Sequence, residues 1–373
     1  MSKRLLKLLI MGLALCSFLG ILFLITKPKP AIETKFVQSI KEQSAENIEQ
    51  GEEATDQIQI KKPGDYALLG NPKHTYQTFN NCGPATLSMI LSWYGVDVSQ
   101  KELGEAMRPY QNPGGDNDDK TIFVLEFAQS AEKYGLAAKT RVNGDINNIK
   151  RFTANGIPVV VKTWLKVDED IGHFRIVRGF DETHGVIIQD DSYQGPNKKI
   201  SYFDFLSMWQ PFNYGYVIVY PPEKEDLVVS ILGEEKEEKV AYENAVKRAQ
   251  EESQLVPDNV YPLYNLSTSY FYLGEYQKSA DAYEEVESRL PRRMLWYQIE
   301  PILAYQKLGN YERVFQITDK ILGSGNRAFS ELYLIRGEIY LDQGQKDLAK
   351  REFELAREYN KNFEAAYEAL KNL

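Results

Sequence analysis

Cysteine is nearly missing from this chain: there are two in 373 residues, Cys16 and Cys82, and Cys16 falls in the most apolar stretch. No disulfide framework can form within the chain, and Cys82 is the one thiol of its polar remainder. Histidine is also scarce, at three residues, so chemistry that needs an imidazole must use His74, His173 or His184. Neither a Cys/His cluster with zinc spacing nor a glycine-rich phosphate loop occurs, and no cofactor is implied. The acidic stretch GGDNDD, Gly114 to Asp119, lacks the glutamate that would close a calcium loop and reads as a solvated loop. Positive charge is in the minority, and the formal net charge is −9. That balance argues against a phosphate-backbone binder, and therefore against nucleic acid as a partner.

What is present, 43% hydrophobic and 26% charged residues, is the mix of a folded protein long enough for two domains. Lys3, Arg4 and Lys7 precede an uncharged run, 8–26, about as long as a bilayer-spanning helix requires. The run is longer than a usual signal core and no small-x-small cleavage site follows. A retained single-pass membrane anchor is therefore expected over a cleaved signal peptide. Leu15 is too bulky for the lipoprotein reading of LALC. The basic residues ahead of the run favour a cytoplasmic N-terminus, 1–7, and place the bulk of the chain outside the cytoplasm, at the cell membrane. Residues 27–63 are polar, acidic and poor in aromatics, a composition that suits a stalk. Two domains follow, 64–222 and 223–373.

The second domain repeats with a period of about 35 residues. Gly274, Gly309 and Gly344 mark it, each with a tyrosine four before (Tyr270, Tyr305, Tyr340) and small or apolar positions beyond, such as Ser279, Val314 and Ala349. Glycine would end one helix and open the turn into the next. The segments LYNLSTSYFYLGEYQKSADAYEEVESRLP and LYLIRGEIYLDQGQKDLAKREFELA resemble the tetratricopeptide family. The middle unit fits less well, with Pro301 inside an expected helix where a kink is anticipated. Ahead of it, KVAYENAVKRAQEESQLVPDN reads as the second helix of an earlier, degenerate unit. FEAAYEALKNL reads as a closing helix. The resemblance implies an all-α array with a peptide- or protein-binding face; packing against the neighbouring domain is the alternative.

In the first domain, Pro84 suits the first turn of a helix whose run, ATLSMILSWY, is apolar nearly all round until Gly95. Cys82 then sits at the positive end of a buried helix, where the macrodipole favours thiolate. A lone buried cysteine is more often inert, so the reading rests on a partner. His173 opens an alternating strand, HFRIVRGFD, after the apolar strand IPVVVKTWL, and is the best-placed base. His184 belongs to a turn and His74 is expected to be exposed. Four loop residues, Asp181 to His184, would set Arg175 opposite Asp190 and His173 opposite Ser192. Asp190 becomes the diagonal neighbour that can steady the imidazole, and Asp191 points the other way. A one-residue slip reverses that choice.

With NCGPA, GHF and IIQDD in this order, the domain resembles the papain-like bacteriocin-processing family of cysteine peptidases. Segments TIFVLEFAQSAEKYGL, as a helix, and DINNIKRFTANGIPVVV, as a helix and core strand, fit as well. The resemblance implies an α+β papain-like fold in which Cys82 is the nucleophile, His173 the acid/base and Asp190 the orienting residue. It makes Gln77 the donor to the oxyanion; Gln77 lies slightly closer to the cysteine than expected, leaving Asn80 or Asn81 as other donors. Asp191 stands where a proline often follows. The expected function is a membrane-anchored thiol hydrolase, a cysteine peptidase acting on a peptide or protein. A transferase using the same residues and an inactive, peptidase-like scaffold are the alternatives. Double-glycine leader cleavage is not assigned, because the chain has no transporter segment or nucleotide-binding motif.

Overall fold

The computed structural model describes residues 59–110 and 122–373. The expected cytoplasmic N-terminus, anchor and most of the stalk, with Cys16 and the GGDNDD loop, lie outside the described residues. Among the described residues no helix is long and apolar enough to cross a membrane.

The chain runs β1 (Tyr66–Leu68), α1 (Cys82–Trp93), α2 (Gln100–Met107), α3 (Val124–Glu132), β2 (Ala137–Arg141), α4 (Ile146–Ala154) and β3 (Val159–Trp164). It continues through β4 (Gly172–Asp181), β5 (Val186–Asp191), β6 (Gly195–Ser201), α5 (Tyr202–Trp209), β7 (Tyr216–Tyr220) and α6 (Glu225–Leu232). The strands form one antiparallel sheet in the order β2-β7-β3-β4-β5-β6, with β1 pairing the far end of β4. Helix α1 forms where the apolar run stands, and Gly95, at φ 81°, releases the chain in a conformation that costs a glycine little. Its buried side chains share a cluster with Val160, Phe174, Ile176, Val217 and Val219. Alternation sends Tyr216 to the opposite face of β7, where Phe152 of α4 and Trp209 of α5 meet it. Covered on both faces, β4 is buried along its whole length, His173, Arg175 and Arg178 included. The alternation of apolar and polar residues expected for this strand therefore does not mark a solvent face: its polar side chains are consumed by internal ion pairs.

Beyond β7 the chain is almost wholly helical: α7 (Glu238–Leu255), α8 (Val260–Tyr272), α9 (Tyr276–Glu284), the short α10 (Met294–Tyr297), α11 (Glu300–Lys307) and α12 (Tyr311–Gly323). Three more follow, α13 (Ser330–Asp342), α14 (Lys346–Tyr359) and the closing α15 (Glu364–Lys371). The three period-marking glycines adopt φ of 79°, 71° and 73°, and a new helix starts two residues after each. Pro301 does not kink a helix. It is the second residue of α11, where its missing N–H would have had no intrahelical acceptor.

The helical part is not detached from the sheet. Trp164, Met208 and Phe212 belong to the same buried cluster as Tyr264, Tyr283, Trp296 and Ile302. The turn 210–215 plugs into the helices: Asn213 Nδ2 donates to Ser269 Oγ at 2.8 Å, and Tyr214 Oη donates to Glu252 Oε1 at 2.7 Å. At the far end Asn362 Nδ2 donates to the carbonyl oxygens of Glu105 and Ala106, in the last turn of α2. Of the two roles expected for the array, packing on its neighbour is the one these contacts establish.

Candidate active site

Cys82 is the first residue of α1, after Asn81 at the N-cap. Helix α1 is held to the start of β4 by Thr86, whose Oγ1 donates to Phe174 O at 3.3 Å. That fastening sets the sulfur towards the first side chain of β4 beyond Gly172, and the Cys82 thiol and His173 ring each shift the other's pKa. His173 Nε2 lies 2.9 Å from Asp191 Oδ1, which leaves Nδ1 for the sulfur. The three side chains form one buried relay, sulfur to imidazole to carboxylate.

The carboxylate is Asp191, not Asp190. Expected and observed registers differ in two ways. The turn lies one residue later, Asp181 pairing Val186, a change of two that keeps the parity. Strand β4 also carries a bulge, Gly179 pairing Ile188 and Val177 pairing Gln189, which leaves Arg178 without an opposite residue on β5 and reverses the parity. Without that extra residue, pairing that begins at Asp181 and Val186 would put the even-numbered side chains of β5 on the face of His173. The bulge shifts the count by one, Arg175 comes opposite Asp191, and the faces exchange. Asp190 instead takes a two-pronged contact from Arg178, Nε to Oδ2 at 2.7 Å and Nη2 to Oδ1 at 3.0 Å, and accepts from Asn197 N–H at 2.8 Å. It ties β4, β5 and β6 together. The glycine inside VRGFD was the available signal for such a bulge.

Asp191 is well prepared to stay ionised. Its Oδ1 accepts the backbone N–H of Tyr193 at 2.7 Å and of Gln194 at 2.8 Å, and Arg175 Nε lies 2.9 Å from its Oδ2 as an ion pair. Burial opposes the charge, yet the His173 hydrogen bond and charge and the Arg175 charge outweigh it, so the carboxyl is held well below the usual range. Burial likewise pulls His173 down, but the hydrogen bonds to Asp191 and Cys82 prevail and raise it. For Cys82, burial pushes up; the His173 hydrogen bond and charge, the Phe174 backbone and the Lys162 charge together bring it below an ordinary thiol. All three directions favour thiolate beside imidazolium.

Gln77 is fixed at both ends of its residue by one neighbour. Its N–H donates to Ser192 O at 2.9 Å, and its Oε1 accepts from Ser192 Oγ at 2.8 Å. With the amide oxygen engaged, the NH2 end is the one directed away from Ser192. Asn81 donates from Nδ2 to Thr78 Oγ1 at 2.8 Å, and Asn80 turns the chain through a left-handed φ of 58°. His184 lies in the expected turn, Nδ1 at 2.7 Å from Asp181 Oδ2. His74 is not exposed as expected: it is half-buried against Tyr76, both ring nitrogens lack a partner, and burial lowers its pKa despite Asp190 and Asp191 nearby.

Sequence reasoning missed three further contributors. Lys162 of β3 is buried, donates to Ile122 O at 2.7 Å and lies over the rings of Phe174, Phe212 and Tyr297. Arg175 was read only as a register marker. Tyr297, from the helical part, covers Gly172: a Cβ built on that glycine would stand 2.7 Å from Tyr297 Cε1. The ring has little room to yield, being edge-on to Trp164 at 5.5 Å with its hydroxyl donating to Asp170 O. Gly172→Ala is therefore expected to displace the start of β4, and with it His173, and to lower kcat/KM about tenfold or more while the fold persists. A peptide-hydrolysis assay paired with circular dichroism checks this.

Residues 65–217 match the family model described as Peptidase C39 like family. Among solved structures, a putative C39-like peptidase from Bacillus anthracis is similar at 16% identity, over 42% of this chain and 98% of that chain, with a TM-score of 0.35. The peptidase domain of Streptococcus ComA, a bi-functional ABC transporter involved in a quorum sensing pathway, is similar at 20% identity, over 39% and 96%, with a TM-score of 0.30. MamA is similar at 16% identity, over 37% and 80%, with a TM-score of 0.33. No curated protein matches the chain.

Proposed function

Taking residues 65–217 as a domain of the peptidase C39-like family, we propose that the protein is a cysteine peptidase whose relay is Cys82, His173 and Asp191. One observation carries the reading: an imidazole that Asp191 holds from behind at 2.9 Å lowers the pKa of the only described thiol, which stands at a helix N-terminus. The Cys82 thiolate attacks a peptide carbonyl carbon, forming the C–S bond as the carbonyl π pair moves to oxygen. We assign the Cys82 backbone N–H and the Gln77 NH2 group to stabilise that oxyanion. Collapse of the tetrahedral species expels the amine, which takes the proton from His173. Water, deprotonated by the same imidazole, then cleaves the acyl-thioester and returns the thiolate. The uncharged run 8–26 supports attachment to the membrane, with the site on the extracytoplasmic side.

The experiment is alkylation of Cys82 by iodoacetamide across pH, followed by peptide mapping, together with hydrolysis of a peptide library. In the wild type, labelling should begin below the pH of an ordinary thiol, about 8.5. His173→Ala removes the hydrogen bond and the charge and leaves burial to dominate, so the midpoint should rise above that value and hydrolysis should vanish. A midpoint indifferent to His173 would sink the peptidase. A second reading, a peptidase-like scaffold, is favoured by the enclosure of the site, with Cys82 8% and His173 2% exposed. It predicts a sulfur that resists labelling at every pH.

A further inference from the structure

The seam between the sheet and the helices holds a pocket of about 240 Å³ that the relay does not use. Phe212, Tyr297, Tyr242, Tyr272, Glu300 and Leu303 are among the residues that line it. Tyr242 and Tyr272 lie stacked, ring centres 4.4 Å apart and 13° from parallel. Tyr272 Oη donates to Glu300 Oε1 at 3.1 Å. The other oxygen, Oε2, is shielded from solvent and has no hydrogen-bond partner.

A carboxylate so placed is expensive to keep charged. The cations in reach are otherwise committed. Arg141, which also lines the pocket, donates to the carbonyl oxygens of Thr140, Glu235 and Lys236. Lys162 donates to Ile122 O and lies among aromatic rings, and its charge only partly offsets the burial of Glu300. Glu238 lines the same pocket and adds a second negative charge that acts on the tyrosine pair. Burial accordingly raises the Glu300 pKa. What the pocket lacks is a cation small enough to enter and apolar enough behind its charge to lie along tyrosine and leucine side chains. A primary alkylammonium has that form, and aromatic faces add cation–π attraction.

We infer that this pocket binds the lysine side chain of a peptide or protein partner, its ammonium on Glu300 and its methylenes between the Tyr242/Tyr272 pair and Leu303. Rotation of the carboxylate about its broad terminal torsion turns Oε2 to the incoming group. Binding of this kind needs no turnover, so it stands or falls separately from the peptidase reading. Tyr297 belongs both to this pocket and to the cover over Gly172, so an occupied pocket would bear on the strand that carries His173.

The test is isothermal titration of the full chain with Nα-acetyl-lysine methylamide, its uncharged norleucine counterpart and glycine methylamide. The lysine probe should bind at least tenfold tighter than the norleucine probe, and Glu300→Gln should remove that preference. Leu303→Lys places an ammonium one helical turn from Glu300 and should abolish probe binding, so the inference remains testable even if Glu300→Gln fails to fold. Equal affinity for the charged and uncharged probes, or undiminished binding by either variant, would overturn it. Glycine methylamide binding as tightly as the lysine probe would point to a free N-terminus and overturn the lysine assignment.

Discussion

Asp191→Ala is expected to lower kcat/KM by about 10³–10⁴-fold, the scale on which loss of a carboxylate that orients a catalytic imidazole is felt. The same change should raise the pH at which Cys82 is alkylated, because His173 loses the hydrogen bond that stabilises its protonated form. Asp191→Asn should lose activity on the same scale, since the amide oxygen can still accept the Nε2 proton but the charge that favours imidazolium is gone. Asp190→Ala is the control. It leaves Arg178 buried without its partner, at a cost of about 3–5 kcal/mol, and should lower the melting temperature without moving the alkylation midpoint of the folded fraction. Should Asp190→Ala shift that midpoint while Asp191→Ala leaves it in place, the relay drawn here is wrong. Asp191→Ala also strips the ion pair from Arg175, so both variants lose stability and only the midpoint separates their roles.

Gly179→Ala is expected to produce a large loss of stability. A Cβ at that position would stand 2.2 Å from Ala67 O and 2.9 Å from Leu68 Cα. These are backbone atoms of β1, paired with β4 at Leu68↔Gly179, and they cannot swing aside as a side-chain tip can. The pairing of β1 must open or the bulge must move, at a cost of about 3 kcal/mol, the upper end of the usual scale of overpacking. Thermal unfolding followed by circular dichroism measures the loss. The variant should also loosen the chain between β1 and Gln77, making 69–76 newly sensitive to limited proteolysis. An unchanged melting temperature would mean that β1 does not lie against β4 as described.

How far the site could be read beforehand depended on the range of the signal. Cys82 at a helix start followed from Pro84 and a continuous apolar run, properties of residues adjacent in sequence. His173 followed from the apolar strand before it and the small number of histidines. The helical pairs were legible because the glycines at 274, 309 and 344 recur, and each carries the left-handed φ that ends a helix. Pro301 misled because its neighbours look helical on both sides; only the packing of Met294–Tyr297 as a separate short turn shows that α11 begins beside the proline.

The carboxylate was another matter. Choosing between Asp190 and Asp191 required the parity of a strand pairing, and one unpaired residue, Arg178, inverted it. Nor could sequence reveal that Lys162 and Tyr297 would approach the relay. The first comes from a strand that reads as plain core, the second from the helical part well over 100 residues away in the chain.

From its amino-acid order alone, this chain determined which segments become helix or strand, where the thiol and the imidazole stand on them, and that the second half repeats, since each of these depends on neighbours a few residues apart. Tertiary structure alone decided which aspartate meets the histidine, how the helical part caps Gly172, and that the seam holds a carboxylate with one oxygen unpartnered. Those outcomes arise from strand register and side-chain packing between distant segments, where a shift of one residue exchanges the faces and a single missing Cβ admits a ring.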